Sequence, residues 1–236
     1  MKEIVLVRRN DNDKYGFLKN GLLLADKWFE DAYEFDDKTD LSMVQREDGQ
    51  WGFLDTKGNI LGNKWFESVH DFTDGFAMVE KDDLFAFIDT KGNILGGKWF
   101  EDAYEFEESF ASVKREDGKW GFLDTKGNIL GDKWFAEIIG FFHEGFGIVQ
   151  NNNDEYAYIG KDGNVLGGLW FHKAYPFFEG FGRVVDNQGN EALLGKDGKI
   201  LGGTWFRSVT DFSEGFAGVR REDGQWGFID TKGNIL

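Results

Sequence analysis

The sequence predicts an all-β protein built from tandem repeats of about 35 residues. Three observations lead to this prediction. The pair Trp-Phe recurs at a nearly constant interval, the chain has 33 glycines but one proline, and its apolar residues fall in short runs or in alternation without a helical period. Tight hairpin turns use glycine and asparagine because their backbones reach positive φ angles, so this composition favours hairpins.

The Trp-Phe pair marks the repeat most clearly. Successive pairs are separated by 37, 34, 35, 36 and 35 residues, which is the periodicity expected of a repeat protein. The six pairs are Trp28-Phe29, Trp65-Phe66, Trp99-Phe100, Trp134-Phe135, Trp170-Phe171 and Trp205-Phe206.

Each repeat predicts three good strands and a fourth, shorter one. In the unit that begins at Gln50, the runs QWGFLD and NILGNKWF are joined by the turn TKG, which is a hairpin pattern. The later run FAMV alternates and leads through a polar turn to the next WG strand. We expect the weaker fourth strand at ESVHDF.

The repeat is offset from the ends of the chain. The hairpin half of the unit occurs seven times and the other half six times in full, so the chain begins with the last strand of one unit and ends with the first hairpin of another. We therefore predict one repeat domain over 1–236, with units at 1–14 (partial), 15–50, 51–84, 85–119, 120–155, 156–190, 191–225 and 226–236 (partial).

This offset predicts a propeller-like closed ring of about seven modules. In such a ring the run at 4–7 pairs with the hairpin at 226–236, and the last module is shared between the two ends. The alternative is an open solenoid of stacked hairpins cut from a longer array, because the last unit is almost pure consensus and not a polar cap.

Composition excludes several classes of function. The net charge of -16 repels phosphate backbones and anionic lipids, so we expect no nucleic-acid and no membrane partner. The absence of cysteine excludes disulfides and thiolate zinc sites. The first residues hold too short an apolar run for a signal peptide, which predicts a cytoplasmic protein unless the chain was trimmed from a secreted parent.

Several runs resemble a known family. The runs KWGFLDTKGNIL, KWFEDAYEF and GFA-x-V are similar to the WG β-repeat family of bacterial proteins, also called KWG repeats. The match is most specific at the pairs Trp51-Gly52, Trp120-Gly121 and Trp226-Gly227. The pairs Phe85-Ala86, Tyr156-Ala157 and Glu191-Ala192 depart from it. The resemblance implies an all-β repeat and no reaction.

A second resemblance concerns ligands. The rhythm of aromatic strand, glycine turn and Gly-x-x-Trp is similar to choline- and glucan-binding cell-wall repeats, although those units are shorter. This resemblance makes carbohydrate binding an option.

Two runs are similar to nucleotide- or metal-binding motifs, but bends and turns of the backbone explain them. The run from Gly92 to Lys98 has the glycine spacing of a P-loop, but Trp99 follows where the P-loop needs a hydroxyl residue and a helix. A bend at Gly96-Gly97 explains it. Asp11-Asn12-Asp13 is similar in composition to a calcium loop, but turn chemistry accounts for these residues. We expect no metal and no cofactor.

The catalytic residue types are not arranged for catalysis. His70, His143 and His172 occupy three different places in the repeat, and the chain has no nucleophile elbow and no metalloprotease helix motif. Carboxylate pairs for glycoside hydrolysis stay open among the 43 acids, since their separation depends on the fold. We expect a protein that is not an enzyme.

Rings that recur at one place in every unit are expected in the core shared by neighbouring repeats. The two such sets that the sequence shows are Phe53, Phe122 and Phe228, and Phe76, Phe146 and Phe216.

The positions that the repeat leaves variable are the candidates for binding. Directly after each Trp-Phe pair stand Glu30, Glu67, Glu101, Ala136, His172 and Arg207. They could form a recognition surface that runs from acidic to basic, or ordinary solvated surface. Our first hypothesis is an interaction module that binds a protein partner through such variable polar loops.

Two further hypotheses remain. A carbohydrate- or cell-wall-binding module predicts exposed rings outside the repeat pattern, for which Tyr33, Tyr104 and Tyr175 are the candidates. A small-molecule sensor or enzyme would have its site in the central cavity of a ring.

Overall fold

The computed structural model describes residues 4–10 and 13–236, and this part of the chain contains seven antiparallel sheets of three strands each. The all-β prediction is confirmed. Sheet 1 contains β1 (Ile4–Arg8), β2 (Tyr15–Lys19) and β3 (Leu22–Leu23), sheet 2 contains β4 (Asp31–Ala32), β5 (Leu41–Gln45) and β6 (Trp51–Asp55), and sheet 3 contains β7 (Ser68–Thr73), β8 (Phe76–Lys81) and β9 (Leu84–Asp89). Sheet 4 contains β10 (Asp102–Ala103), β11 (Phe110–Lys114) and β12 (Trp120–Asp124), and sheet 5 contains β13 (Glu137–His143), β14 (Phe146–Gln150) and β15 (Tyr156–Gly160). Sheet 6 contains β16 (Lys173–Phe178), β17 (Phe181–Val185) and β18 (Glu191–Gly195), and sheet 7 contains β19 (Ser208–Val209), β20 (Phe216–Arg220) and β21 (Trp226–Asp230).

The helical content of the described residues is limited to six 3₁₀ turns of three residues each. One such turn follows the last main strand of each of the first six sheets. They are Leu24–Asp26, Leu61–Asn63, Leu95–Gly97, Leu130–Asp132, Leu166–Gly168 and Leu201–Gly203.

The run NILGNKWF is not the regular strand that the sequence predicts. Ile60 makes a single bridge to Leu54, and Phe66 makes another to Trp51. Between these bridges, Gly62 adopts a φ of 57° and closes the 3₁₀ turn. A positive φ interrupts an extended strand, so the glycine that suggested a hairpin strand divides that strand in two. The expected bend at Gly96-Gly97 is confirmed, since both residues have positive φ.

The run predicted as the weak strand forms the first strand of its sheet. In β7 it extends over six residues and pairs with β8, with a register shift between Val69 and Phe72. In β4, β10 and β19 the same run gives two residues of strand.

Each sheet has two apolar faces of different composition. In sheet 2, Met43 lies opposite Phe53 and Val44 lies opposite Gly52. Because successive side chains of a strand point to opposite sides, Met43 and Phe53 form one face, here called the aromatic face. Val44 and Leu54 form the other, here called the aliphatic face.

The aromatic face of one sheet packs on the aliphatic face of the next. Phe53 of sheet 2 lies in one cluster with Ala77, Val79 and Ile88 of sheet 3, and it is 2% exposed. Burial of a ring of this size stabilises the fold by about 1.5 to 3 kcal/mol. The equivalent residues in other clusters each pack against the following sheet: Phe17 packs against sheet 2, Phe122 against sheet 5, Tyr158 against sheet 6 and Leu193 against sheet 7.

A phenylalanine on the first strand of the following sheet, or a few residues after that strand, completes these interfaces. Phe142 stacks on Phe110 with a centroid distance of 4.6 Å and meets the edge of Phe122 at 4.7 Å. Phe177 is held in the same way by Phe146 at 4.7 Å and Tyr158 at 4.8 Å. Each such ring pair contributes about 0.5 to 1.5 kcal/mol beyond burial.

At two interfaces a ring packs directly on a glycine. A Cβ on Gly147 would lie 2.5 Å from the ring of Phe122, and a Cβ on Gly182 would lie 2.5 Å from the hydroxyl of Tyr158. The Tyr158 hydroxyl donates to the carbonyl of Tyr175, and its burial raises its pKa. Tyr158, which is larger than phenylalanine by its hydroxyl, therefore faces a glycine, whereas Phe53 faces Ala77 at the equivalent place of sheet 3.

Close packing explains the glycine of the Trp-Gly pair. A Cβ on Gly52 would lie 3.0 Å from the ring of Trp65, so this tryptophan packs directly on the glycine backbone. The units with alanine in place of this glycine keep the same strands, and Ala86, Ala157 and Ala192 are fully buried.

Glycine backbones also meet between successive repeats. A Cβ on Gly131 would lie 3.1 Å from the carbonyl oxygen of Gly163 in the following hairpin turn, to which Lys133 donates a hydrogen bond. Lys64 donates likewise to the carbonyl of Gly92 at 2.6 Å. The equivalent lysine is replaced by Leu169 and Thr204 in later repeats.

The chain divides into two compact units, Met1–Phe106 with Thr125–Gly127 and Glu107–Asp124 with Asn128–Leu236. Here they are called unit 1 and unit 2 and are described separately. Strand β1 pairs with β2, and β21 pairs with β20, each within its own sheet. None of the seven sheets closes on itself in the described residues. The choice between a closed ring and an open solenoid, and the single-domain boundaries, stay predictions.

One expectation about the core is wrong in the last sheet. Phe228 is 59% exposed and Phe216 is 46% exposed, whereas the equivalent Phe53 and Phe122 are buried. Burial of these rings depends on a following sheet, and sheet 7 has none in the described residues.

Two adjacent glycines give a direct test of the backbone contacts. Gly167 and Gly168 have φ angles of 61° and 67°. A Cβ added at Gly167 would lie 2.7 Å from the carbonyl oxygen of Gly198, whereas a Cβ added at Gly168 would have no atom within 4 Å. We expect Gly168→Ala to cost about 1 kcal/mol of unfolding free energy through φ alone. Gly167→Ala should cost at least about 2 kcal/mol, because the clash adds to the same strain. Urea unfolding measures both, and equal losses would contradict the contact.

The hairpin turns predict a sensitivity to acid. Burial of the Asp55 carboxylate favours its neutral form, but hydrogen bonds from Asn59 and Lys57 outweigh this and lower its pKa. A lowered pKa in the folded state gives stability that is present above the unfolded value, about pH 4, and is lost as pH falls further. We expect Asp55→Asn to lower the urea midpoint at pH 7 and to have a smaller effect at pH 3. The exposed Asp26→Asn serves as the control, with little effect at either pH.

Candidate functional site

The variable positions lie where the chain passes from one sheet to the next. Phe66 pairs with Trp51 in sheet 2, and the backbone N–H of Glu67 donates to the carbonyl of Glu80 in sheet 3 at 2.9 Å. The same hydrogen bond joins Glu30 to Gln45, Ala136 to Gln150, His172 to Val185 and Arg207 to Arg220. The scaffold thus fixes the backbone of these five variable residues beside the turn between the second and third strands.

The side chains at these positions are free to differ. Glu30, Glu67, Glu101, His172 and Arg207 are exposed, whereas Ala136 is half-buried. Unit 1 contributes the three glutamates, and unit 2 contributes the alanine, histidine and arginine.

The densest charge in unit 1 lies at the end of sheet 3. Carboxylate oxygens of Glu67, Glu80 and Asp83 lie within 4.8 Å of one another. Asp82 and Glu101 are exposed at the same end of the sheet, since Phe100 pairs with Phe85 directly before Glu101. Here these residues, Glu67, Glu80, Asp82, Asp83 and Glu101, are called the acidic edge.

Local hydrogen bonds hold two of these carboxylates in place. The hydroxyl of Ser68 donates to Glu80 at 2.8 Å, and the backbone N–H of Asp82 donates to Glu67 at 3.1 Å. Like charges at this spacing repel one another, so the edge attracts any cation that approaches it. Such carboxylates can coordinate Ca²⁺, but exposed acidic groups of this kind are common without an ion.

The carboxylates at the corresponding end of sheet 2 are already paired with basic side chains. Lys14 contacts both Glu47 and Glu30, and the hydrogen bond to Glu47, followed by that to Glu30, raises the pKa of Lys14. Arg46 donates to Asp48 at 2.6 Å and lies over the ring of Trp65 at 5.0 Å. The acidic edge differs from this neighbouring end of the same unit, because none of its carboxylates forms an ion pair with the basic residues that the structure describes.

The three candidate tyrosines have different surroundings. Tyr33 and Tyr104 are 52% and 50% exposed, and Tyr33 tilts against Trp51 at a centroid distance of 5.9 Å. Tyr175 is half-buried, because the guanidinium of Arg183 covers its ring at 3.8 Å. Arg183 is held there by Asp211 at 3.2 Å.

Tyr33 lies on a groove of about 780 Å³ in unit 1, here called the Tyr33 groove. Its apolar floor includes Met43, Phe53 and Phe72, and its walls include Asp36 and Asp71. Grooves with an apolar floor and a few polar groups are the usual form of small-ligand sites.

The loop that borders this groove was not identified as functional from the sequence. The Oδ1 atom of Asp36 accepts hydrogen bonds from the N–H of Lys38, at 3.1 Å, and from the N–H and hydroxyl of Thr39, at 2.8 Å each. Thr39 in turn lowers the pKa of Asp36. The signal for this loop was the spacing of 37 residues between Trp28 and Trp65, the longest in the repeat.

The histidines have separate surroundings. His70 contacts Glu105 at 3.1 Å, and Nδ1 of His143 donates to the carbonyl of Phe177 at 2.8 Å. His172 lies at the exposed variable position directly after Trp170-Phe171. In the motif similar to a calcium loop, Asp11 and Asn12 lie outside the described residues. The hypothesis of a site in the central cavity of a ring stays a prediction.

Among the described residues, no helix has the length and apolar character needed to cross a membrane.

The repeat matches a known family. The model of the WG containing repeat matches residues 51–85, 85–120, 120–153 and 226–236. The chain carries WG repeats. The resemblance that its residues indicate is thereby confirmed, and the WG pairs at Trp51, Trp120 and Trp226 lie in the matched segments.

Comparison with whole proteins gives more distant similarities to this WG-repeat chain. No curated protein matches it. Among solved structures it is similar to the computationally designed Ika8 protein (13% identity, 100% of this chain and 83% of that chain, TM-score 0.37). It is also similar to BamB from Moraxella catarrhalis (12%, 100% and 84%, TM-score 0.38) and to the WD40 β-propeller domain of Doa1 (12%, 95% and 88%, TM-score 0.32).

Proposed function

We propose that this chain is a non-catalytic interaction module that binds a basic segment of a partner protein at the acidic edge. The observation that supports this most directly is the group of Glu67, Glu80 and Asp83, whose carboxylates lie within 4.8 Å of one another at the end of sheet 3. A lysine or arginine of the partner would relieve their mutual repulsion and gain charge-assisted hydrogen bonds.

The scaffold suits such a role. Its packing residues stay apolar from repeat to repeat, whereas the side chain after the Trp-Phe pair varies, and five of the six variable residues keep the same backbone hydrogen bond. Binding residues of this kind lie on loops held by a rigid framework. The net charge of -16 adds a long-range attraction for basic partners, which raises the rate of association.

The first test separates the acidic edge from the charge of the whole chain. The probe is a fluorescent oligoarginine peptide, and binding is followed by fluorescence anisotropy with EDTA present to remove divalent ions. We expect the triple variant Glu67→Gln, Glu80→Gln and Asp83→Asn to weaken binding by about tenfold or more, equivalent to about 1.4 kcal/mol.

The matched control is the triple variant Asp26→Asn, Asp37→Asn and Asp132→Asn, which removes the same charge from exposed sites elsewhere. It should bind the peptide about as well as the unmodified chain. Equal weakening by both triple variants would show that only net charge acts, and would reject the acidic edge as the site.

The Tyr33 groove supports a second candidate function, carbohydrate binding. Its volume of about 780 Å³, the exposed ring of Tyr33 and the carboxylates of Asp36 and Asp71 combine a stacking surface with acceptors for sugar hydroxyls. A sugar ring stacked on Tyr33 would lie over the apolar floor at Met43.

The test of this candidate compares two equally exposed tyrosines. Soluble glucan and chitin oligosaccharides serve as probes in isothermal titration calorimetry. Tyr33→Ala should abolish measurable binding, because the stacking ring is removed, whereas Tyr104→Ala should leave it unchanged. No binding to the unmodified chain, or equal loss in both variants, would reject the groove as a carbohydrate site.

A further inference from the structure

Two tyrosines at the same place of the repeat have different neighbours. Tyr33 and Tyr175 each stand five residues after the tryptophan of a Trp-Phe pair. The guanidinium of Arg183 lies over the ring of Tyr175 at 3.8 Å. Among the residues that the structure describes, no cation lies over the ring of Tyr33, which is 52% exposed. The same ring position is therefore covered by a cation in unit 2 and open in unit 1.

One residue of the second strand accounts for this difference. Arg183 is the middle residue of β17 and lies opposite Leu193, and Met43 is the middle residue of β5 and lies opposite Phe53. Both side chains therefore emerge on the aromatic face of their sheet. Met43 supplies an uncharged thioether to the Tyr33 groove, at the place where Arg183 supplies a positive charge.

A carboxylate from the following sheet contributes to both places. Asp211, six residues after Trp205, accepts a hydrogen bond from Arg183 at 3.2 Å. Asp71, six residues after Trp65, lines the Tyr33 groove. Its carboxylate is exposed and forms no hydrogen bond or ion pair with the described residues. The acceptor of the Arg183 site is thus repeated in unit 1, where no side chain donates to it.

Another repeat uses the same carboxylate position to hold a nitrogen group. Glu105, six residues after Trp99, contacts Nδ1 of His70 at 3.1 Å. His70 belongs to the preceding sheet and stands at the place of Tyr33 and Tyr175 in the repeat. Binding of a nitrogen group by this carboxylate is therefore a recurring property of the scaffold.

The charge of the Tyr33 groove favours a cation. The residues that line it include one lysine, Lys38, and four acids, which are Glu34, Asp36, Asp37 and Asp71. The face of a tyrosine ring attracts a cation, and a planar guanidinium also forms paired hydrogen bonds with a carboxylate. A neutral sugar would stack on the ring but would leave the charge of Asp71 without a counterion.

We propose that the Tyr33 groove binds an arginine side chain of a partner protein, with its guanidinium over the ring of Tyr33 and against the carboxylate of Asp71. The arginine is part of a polypeptide, because the α-carboxylate of the free amino acid would be repelled by the acids of the groove. This ligand would exclude a carbohydrate from the same space. The inference does not rest on the acidic edge, which consists of other residues.

The test follows the tyrosine ring directly. The full chain is labelled with 3-fluorotyrosine, and fluorine NMR monitors its titration with N-acetyl-arginine amide at constant ionic strength. The signals of Tyr33 and Tyr104 are identified by their loss in Tyr33→Phe and Tyr104→Phe. N-acetyl-citrulline amide, which has nearly the same shape without the charge, is the control ligand.

We expect a saturable shift of the Tyr33 signal with the arginine compound. The signal of Tyr104 should not shift, because Gly140 stands in its following repeat at the place of the carboxylate. The citrulline compound should bind at least about tenfold more weakly, since it has no charge for the ring or for Asp71. Free arginine should also bind more weakly than the amide, and tighter binding would contradict a polypeptide ligand.

Two variants test the comparison with Arg183. Asp71→Asn should weaken binding by about threefold to tenfold, because the charge-assisted hydrogen bonds are lost. Met43→Arg should abolish the response, because the new side chain would fill the groove as Arg183 covers Tyr175. The control is Asp26→Asn, which changes the net charge by the same amount at another exposed site of unit 1 and should bind normally. Circular dichroism checks that each variant keeps the fold.

Three results would overturn the arginine site: no saturable shift of the Tyr33 signal, an equal response to the citrulline compound, or unchanged affinity in Asp71→Asn. A shift with glucan or chitin oligosaccharides and none with the arginine compound would assign the groove to carbohydrate instead. The triple variant at Glu67, Glu80 and Asp83 should keep the response of Tyr33. Failure of the arginine site can therefore be distinguished from failure of the acidic edge.

Discussion

The structure depends on the packing of one large ring from each sheet against small and branched side chains of the next. Phe53, for example, is buried against Ala77 and Val79. Since interiors are close-packed, the residue opposite such a ring must stay small, and the ring must recur with the period of the repeat. The long-range regularity of the sequence therefore follows from a contact between neighbours only, as in other repeat proteins.

Contacts between backbone groups fix the two ends of the sheets. Glycine backbones in contact, such as Gly131 and Gly163, set the spacing at one end of the sheets. The hydrogen bonds from the N–H groups of five variable residues fix the other end. With the backbone held at both ends, the side chains after the Trp-Phe pairs carry little structural constraint, and the acidic edge can differ from the neutralised end of sheet 2.

Local patterns in the sequence predicted the period, the strands at WGFLD and FAMV, and the exposure of Glu67 and Tyr33. NILGNKWF was wrongly predicted as a regular strand, because Gly62 has a positive φ and lies against Gly92 of the following repeat, and a local pattern does not encode contacts between repeats. Phe228 has the residue type and place of a core ring, but its burial depends on a covering sheet that a local pattern does not encode. Glu67 and Glu80 of the acidic edge meet only through the pairing of β7 with β8.

The fit of Gly182 to Tyr158 has a consequence for how such an array can be changed. The Tyr158 hydroxyl occupies the space that a Cβ at residue 182 would need, so the tyrosine and the glycine that faces it depend on each other. The two residues at such a junction must therefore be exchanged together. Recombination within a sheet, which keeps both partners of each interface together, is tolerated better than the transfer of one whole sheet from elsewhere in the array.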